Sequence, residues 1–205
     1  MTLVGSRDWL VLSVTSAGAG VPSLRMFVWR GLRTAGALTL QPSVYLLPAR
    51  PDALRAGRRI VDRVKSAGGQ AQMLRMSATE QGDQDWLVEQ MQQARDVEYA
   101  EVLDRLPSFF AELEKETGGG RVTFAEVEEN EADLARFEDW LAKIRARDYF
   151  CAPRGLEVIS ELARAREALT AFEALALDAD DPLSTPTAAA LTRPLRAVPA
   201  KRSTR

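Results

Sequence analysis

Residues Leu24–Pro48 read LRMFVWRGLRTAGALTLQPSVYLLP, and their order decides the fold. Leu24, Val28, Gly31, Leu32 and Ala35 recur at three- and four-residue spacing, the apolar stripe of an amphipathic helix. Pro22 suits the first turn of that helix, where a backbone N–H has no intrahelical partner. Gly36 ends it, because a residue with positive φ is commonly needed just past a helix C-terminus. Ala37–Leu47 is strand-like, but Pro42 cannot donate to a ladder and demotes part of the run or splits it into two strands.

Working outward, Trp9–Val14 (WLVLSV) is a short apolar run with β-branched residues, the pattern of a buried strand. A second helix is predicted over Asp52–Ala67, with Asp52 as its N-cap and Leu54, Gly57, Val61 and Val64 turned inward. Gly68-Gly69 stops it, and Gln70–Met76 alternates polar and apolar as a strand does. The order β-α-β-(β)-α-β is the ferredoxin-like, split βαβ order, with both helices on one sheet face.

Beyond Thr79 the pattern turns to long helices. One opens at Asp83 or Asp85 and runs to about Thr117, with Pro107 as a kink or break and Gly118-Gly119-Gly120 as a stop. Thr123 and Glu126 form a capping box for the next, in which Val127, Asn130, Leu134, Phe137, Leu141 and Ile144 make a helical-hairpin seam. A last helix is predicted from Gly155 to Leu177, with Val158, Leu162, Ala165, Leu169 and Phe172 inward. The whole is α+β: a ferredoxin-like domain over 7–79, an acidic helical hairpin or bundle extension over 83–177, and a Pro/Ala/Ser/Thr-rich basic tail over 178–205, expected to be disordered.

The chain has no histidine and one cysteine, Cys151. That excludes His-based triads, His general bases, zinc sites and an internal disulfide, and it suits a reducing cytoplasm. No apolar run is long enough for a membrane span. The net charge of −2 hides a strong segregation. Residues 1–75 carry eleven Lys/Arg against three Asp/Glu, residues 76–183 eleven against twenty-six, and residues 184–205 five against none. A basic surface beside an acidic remainder is the pattern of a polyanion binder, or of two halves that neutralise each other.

The basic charge is patterned. Arg25, Trp29 and Arg33 repeat every four residues on the first helix, with Arg30 nearby; Arg55, Arg59 and Arg63 do so on the second, with Arg58 beside them. Arginines spaced along a surface neutralise successive phosphates and offer bidentate hydrogen bonds, so these seven are the candidate DNA-binding residues. With both helices on one face, Arg25, Arg33, Arg55, Arg59 and Arg63 are expected towards one surface. Trp29 is expected to pack against a neighbouring helix, the alternative being to stack on a base or an arginine. Ser16 and Ser23, flanking the Gly18–Gly20 loop ahead of the first helix, are the candidate anion-binding residues, against an ordinary strand-to-helix turn. Glu126, Glu128, Glu129, Glu131 and Asp133 read as an exposed acidic face rather than a metal site, and Cys151 as a small buried hydrophobe. No catalytic residue and no cofactor is assigned.

Two words, VWRGLRTAG…QPSVYLLP and EENE…WLAKIRARDYF, occur in this order and separation. With them, about residues 7–176 resemble the N-terminal domain of ChrB, the chromate-resistance regulatory protein. The first half is also similar to the ferredoxin-like domain of PaaX-type repressors and to the small nucleases of CRISPR adaptation, through the phrase from Gly36 to Tyr45. The resemblance implies control of a chromate-efflux operon, with DNA as partner and chromate as effector. The small nucleases place a metal-binding Asp at the end of their first strand. This chain has Thr15-Ser16 there, and Asp8 ahead of the strand, so a nuclease is not expected; with no histidine and no obvious cofactor loop, neither is a chromate reductase. The alternative is a non-catalytic module that forms a homodimer or docks a partner through its helices.

Overall fold

The computed structural model describes residues 8–15 and 22–180. Its elements are β1 (Asp8–Thr15), α1 (Pro22–Thr34), β2 (Leu38–Gln41), β3 (Val44–Pro48), α2 (Pro51–Ser66), β4 (Gln70–Ser77), α3 (Gln81–Gly118), α4 (Phe124–Arg145) and α5 (Arg154–Asp180). The four strands form one antiparallel sheet in the order β2-β3-β1-β4, so β3 lies between β1 and β2. Pro42 splits the strand-like run: Pro42 and Ser43 connect β2 to β3, with Ser43 at φ 70.

Leu10, Leu12 and Val14 point to one sheet face and are buried with Leu24, Val28 and Leu32 of α1 and Ile60, Val61 and Val64 of α2. On the other face α3 covers the side towards β2 and β3: Trp9 and Leu46 pack with Leu87 and Met91, and Trp9 Nε1 donates to Gln84 Oε1 at 2.8 Å, while Leu74 and Met76 of β4 stay exposed. The same helix, 38 residues and about 57 Å long at 1.5 Å per residue, then runs on to join α4 and α5 in a three-helix bundle around Tyr99, Val102, Leu106, Leu134, Ile144, Val158 and Leu162. α3 therefore belongs both to the sheet domain and to the acidic extension.

Glycine sets three helix ends. Gly36 (φ 68), Gly68 (φ 80) and Gly120 (φ 65) each follow a helix in the left-handed region. Ala37, Gly69 and Arg121 then donate back six-to-one to Leu32, Val64 and Glu116 carbonyls, the Schellman arrangement. Gly57 matters for packing instead. A Cβ there would lie 2.7 Å from Met73 Sδ, so its absence lets α2 settle on the sheet.

Several expectations need correction. Asp52 is not the N-cap of α2; Arg50 is, because Pro51 takes the first helical position and leaves Asp52 in the first turn. α3 starts at Gln81 with Glu80 as its cap, ahead of Asp83 and Asp85. Pro107 does not break it: the residue is on the exposed side, while Leu106 and Phe109 anchor both flanks in the bundle. α5 extends through Asp180, past the predicted start of the tail; the rest of the tail, 181–205, lies outside the described residues. Thr123 does cap α4, its hydroxyl accepting from the Glu126 N–H at 3.3 Å.

Candidate nucleic-acid interface

α1 and α2 lie side by side on the sheet, and their approach is close: a Cβ on Gly31 would stand 3.1 Å from Ile60 Cδ1. Between their outer flanks runs a groove of about 590 Å³. α1 contributes Met26, Phe27 and Arg30; α2 contributes Ala56, Arg59 and Ile60. Ser23 and Asp52 also line it. Tyr149, from the connection between α4 and α5, forms part of the wall.

Tyr149 is fixed from two sides. Its hydroxyl donates to the Ala35 carbonyl at 2.7 Å, and the Arg50 guanidinium lies over its ring at 5.5 Å. Burial first, then the neighbouring Asp52 carboxylate, pushes its phenol up to about 12, so it remains a neutral donor. Asp52 itself is 3.8 Å from Arg50.

All seven candidate arginines are exposed. The structure brings Arg30 and Arg59 into one groove from opposite walls. Arg55, Arg58 and Arg63 lie along the exposed surface of α2. Arg25, Trp29 and Arg33 occupy the other flank of α1, by their helical spacing from the groove residues. Arg33 sits over the Trp29 ring at 5.3 Å, and Trp29 stays 53 % exposed rather than packing on a neighbouring helix. None of the seven forms an ion pair with a described carboxylate. The acidic bundle therefore does not neutralise them; its acids pair with cations of the bundle itself, such as Arg166 with Glu138 and Arg164 with Glu161.

The second sequence word, ending KIRARDYF, meets the first in space. The Arg147 backbone and Cβ abut Gly36, and Arg147 Nε donates to Glu98 Oε2 at 2.9 Å. Asp148 accepts from the Tyr99 hydroxyl at 3.0 Å and from the Ala152 N–H. Phe150 packs against Trp9, ring centroids 5.6 Å apart. Arg95, buried where α3 leaves the sheet for the bundle, pairs with Glu98 at 3.0 Å, yet its Nε and Nη1 have no hydrogen-bond partner. Burial lowers its pKa, partly offset by Glu98. This junction fixes the basic helices relative to the acidic body, and sequence periodicity carries no signal for it.

Of the anion candidates, Ser23 lines the groove, whereas Ser16 and the Gly18–Gly20 loop lie outside the described residues. Cys151 is exposed, not buried: at φ 55 in the tight connection before α5 its side chain faces solvent and Ala152 fills the core instead. Among the described residues, no three His, Cys, Asp or Glu side chains are grouped to hold a metal, and no helix is long and apolar enough to cross a membrane.

Residues 25–182 match the family described as protein ChrB, N-terminal. No curated protein and no solved structure matches the chain significantly.

Proposed function

The chain belongs to the ChrB N-terminal family, which ties it to chromate resistance, and from that premise we propose that it is a cytoplasmic, non-enzymatic regulator that binds DNA through α1 and α2. One observation carries the proposal: seven exposed arginines on two adjacent helices have no carboxylate partner among the described residues, in a chain whose net charge is −2. Pairing within the chain would have argued for a merely solvated or self-neutralised face. The β-α-β-β-α-β order, with β3 antiparallel between β1 and β2, supports reading the first unit as ferredoxin-like. On the opposite sheet face α3 packs over the Trp9 and Leu46 side, and Leu74 of β4 is exposed there.

The test is a mobility shift on the gene's own promoter region across a salt series. If all seven arginines met phosphates, log affinity would fall with log salt at a slope of about −6. Changing Arg55, Arg59 and Arg63 to Ala should flatten that slope by up to about 3. Undiminished binding and slope in the triple variant would remove the site assignment. Chromate as effector rests on the family resemblance alone, and the same shift repeated with chromate tests it.

A second reading, a homodimerising or partner-docking module, draws on α5, where Leu156 and Leu177 are 77 % and 61 % exposed. A stable dimer with no shift at low salt would favour it.

A further inference from the structure

The groove between α1 and α2 has a composition that duplex phosphates alone do not require. Phosphate contacts need cations on an open surface. Here Arg30 of α1 and Arg59 of α2 line one channel together with Phe27, Met26, Ala56 and Ile60. Phe27 and Met26 are 41 % and 45 % exposed, on a helix whose inward stripe already satisfies the core. We propose that this groove binds a nucleotide unit with its base unstacked, the base against Phe27 and the phosphate between Arg30 and Arg59.

The chemistry fits in three respects. Exposed aromatic faces stack on bases irrespective of sequence, and arginine adds both phosphate charge and cation–π contact. The volume of about 590 Å³ lies within the range of about 300–1,000 Å³ usual for small-ligand sites. Asp52, on the α2 wall, supplies an acceptor for a ring N–H or an exocyclic amino group of the base. The chain's own tail is an unsuitable occupant, since residues 184–205 carry five Lys/Arg and no Asp or Glu. Two sources present the same unit: an unpaired nucleotide in a DNA strand, and a free mononucleotide.

The inference rests on reading α1 and α2 as a nucleic-acid surface, and the experiment separates the two. The full chain is titrated with single-stranded and duplex forms of one oligonucleotide, and with dAMP, dTMP and inorganic phosphate. Phe27→Ala is the decisive variant; Phe27 is outside the core cluster, and an unchanged circular dichroism spectrum and thermal midpoint verify its fold. The expected result is a roughly tenfold loss of single-strand affinity in Phe27→Ala, with duplex affinity unchanged. Binding of dAMP and dTMP that Phe27→Ala weakens, with phosphate far weaker than either, assigns the free nucleotide as an occupant in its own right. Equal single-strand affinity in wild type and Phe27→Ala overturns the groove assignment while leaving duplex binding intact. If neither oligonucleotide form binds at low salt, the DNA reading fails; absence of dAMP binding as well then overturns the groove inference.

Discussion

Gly36→Ala tests whether the exit of α1 is locked against the turn between α4 and α5. Three helices end in a left-handed glycine, and the structure supplies its own controls. At Gly68 and Gly120 a Cβ would meet nothing within 4 Å, so alanine there bears only the backbone penalty, about 1–2 kcal/mol. At Gly36 the same Cβ would stand 2.7 Å from Arg147 Cβ and 2.9 Å from the Arg147 carbonyl oxygen. Both are closer than real Cβ contacts, and one neighbour is backbone, which has little room to give. Displacing Arg147 also strains its bond to Glu98 at 2.9 Å. Overpacking of this kind adds about 1–3 kcal/mol. Gly36→Ala should therefore cost about 3 kcal/mol in total, against about 1.5 kcal/mol for Gly68→Ala. For a chain of this size that corresponds to a midpoint lowered by roughly 6–12 °C. Urea and thermal unfolding followed by circular dichroism measure it. If Gly36→Ala costs no more than Gly68→Ala, the contact between the two sequence words does not hold the halves together.

Two other perturbations follow from buried charge. Glu98→Ala leaves Arg95 and Arg147 without the carboxylate they share and should cost about 3 kcal/mol in urea unfolding; a loss below that of an ordinary surface substitution would contradict the pairing. Glu116 is buried at the bundle end, its carboxylate accepting from Asn130 Nδ2 at 2.8 Å, and burial, with Glu126 and Glu112 nearby, raises its pKa above 4.5. The folded state then holds a proton that the unfolded chain has lost, so this group's contribution falls as pH rises from the unfolded value through the raised one. Glu116→Gln keeps an acceptor for Asn130 without the charge. Its stability relative to wild type should grow as pH climbs above 4.5; parallel stability–pH curves for the two proteins would refute the assignment.

Much of the local structure was legible because its causes are local. The stripe Leu24, Val28, Leu32, Ala35 needs only the 3.6-residue period, and all four are buried. Gly36, Gly68 and Gly120 end helices because only glycine adopts positive φ without penalty. Pro42 divides β2 from β3 because it has no N–H to pair. The candidate site was legible as a set of arginines but not as an arrangement. Helical spacing placed Arg25 and Arg33 on a row; whether that row turns towards α2 depends on which flank of α1 the second helix takes. The structure gives that flank to Phe27 and Arg30. Trp29 and Cys151 are exposed against expectation for a related reason, since their burial depends on neighbours distant in the chain.

Sequence alone thus determined the elements, the glycine stops of three helices, the segregation of charge and the family likeness, each a matter of residues close together or of simple composition. Tertiary structure decided what those elements face. The apolar stripe of α3 is continuous in kind from Leu87 and Met91 to Leu106 and Phe109, yet its first part covers a sheet and its second part a helical bundle. Periodicity reports that a face is buried, not by what, because burial of apolar surface is non-directional. The identity of the partner comes from shape and from directional polar contacts: Tyr149 to the Ala35 carbonyl, Trp9 to Gln84, Arg147 between Gly36 and Glu98. Those contacts leave the arginines of α1 and α2 without an ion pair to any described carboxylate.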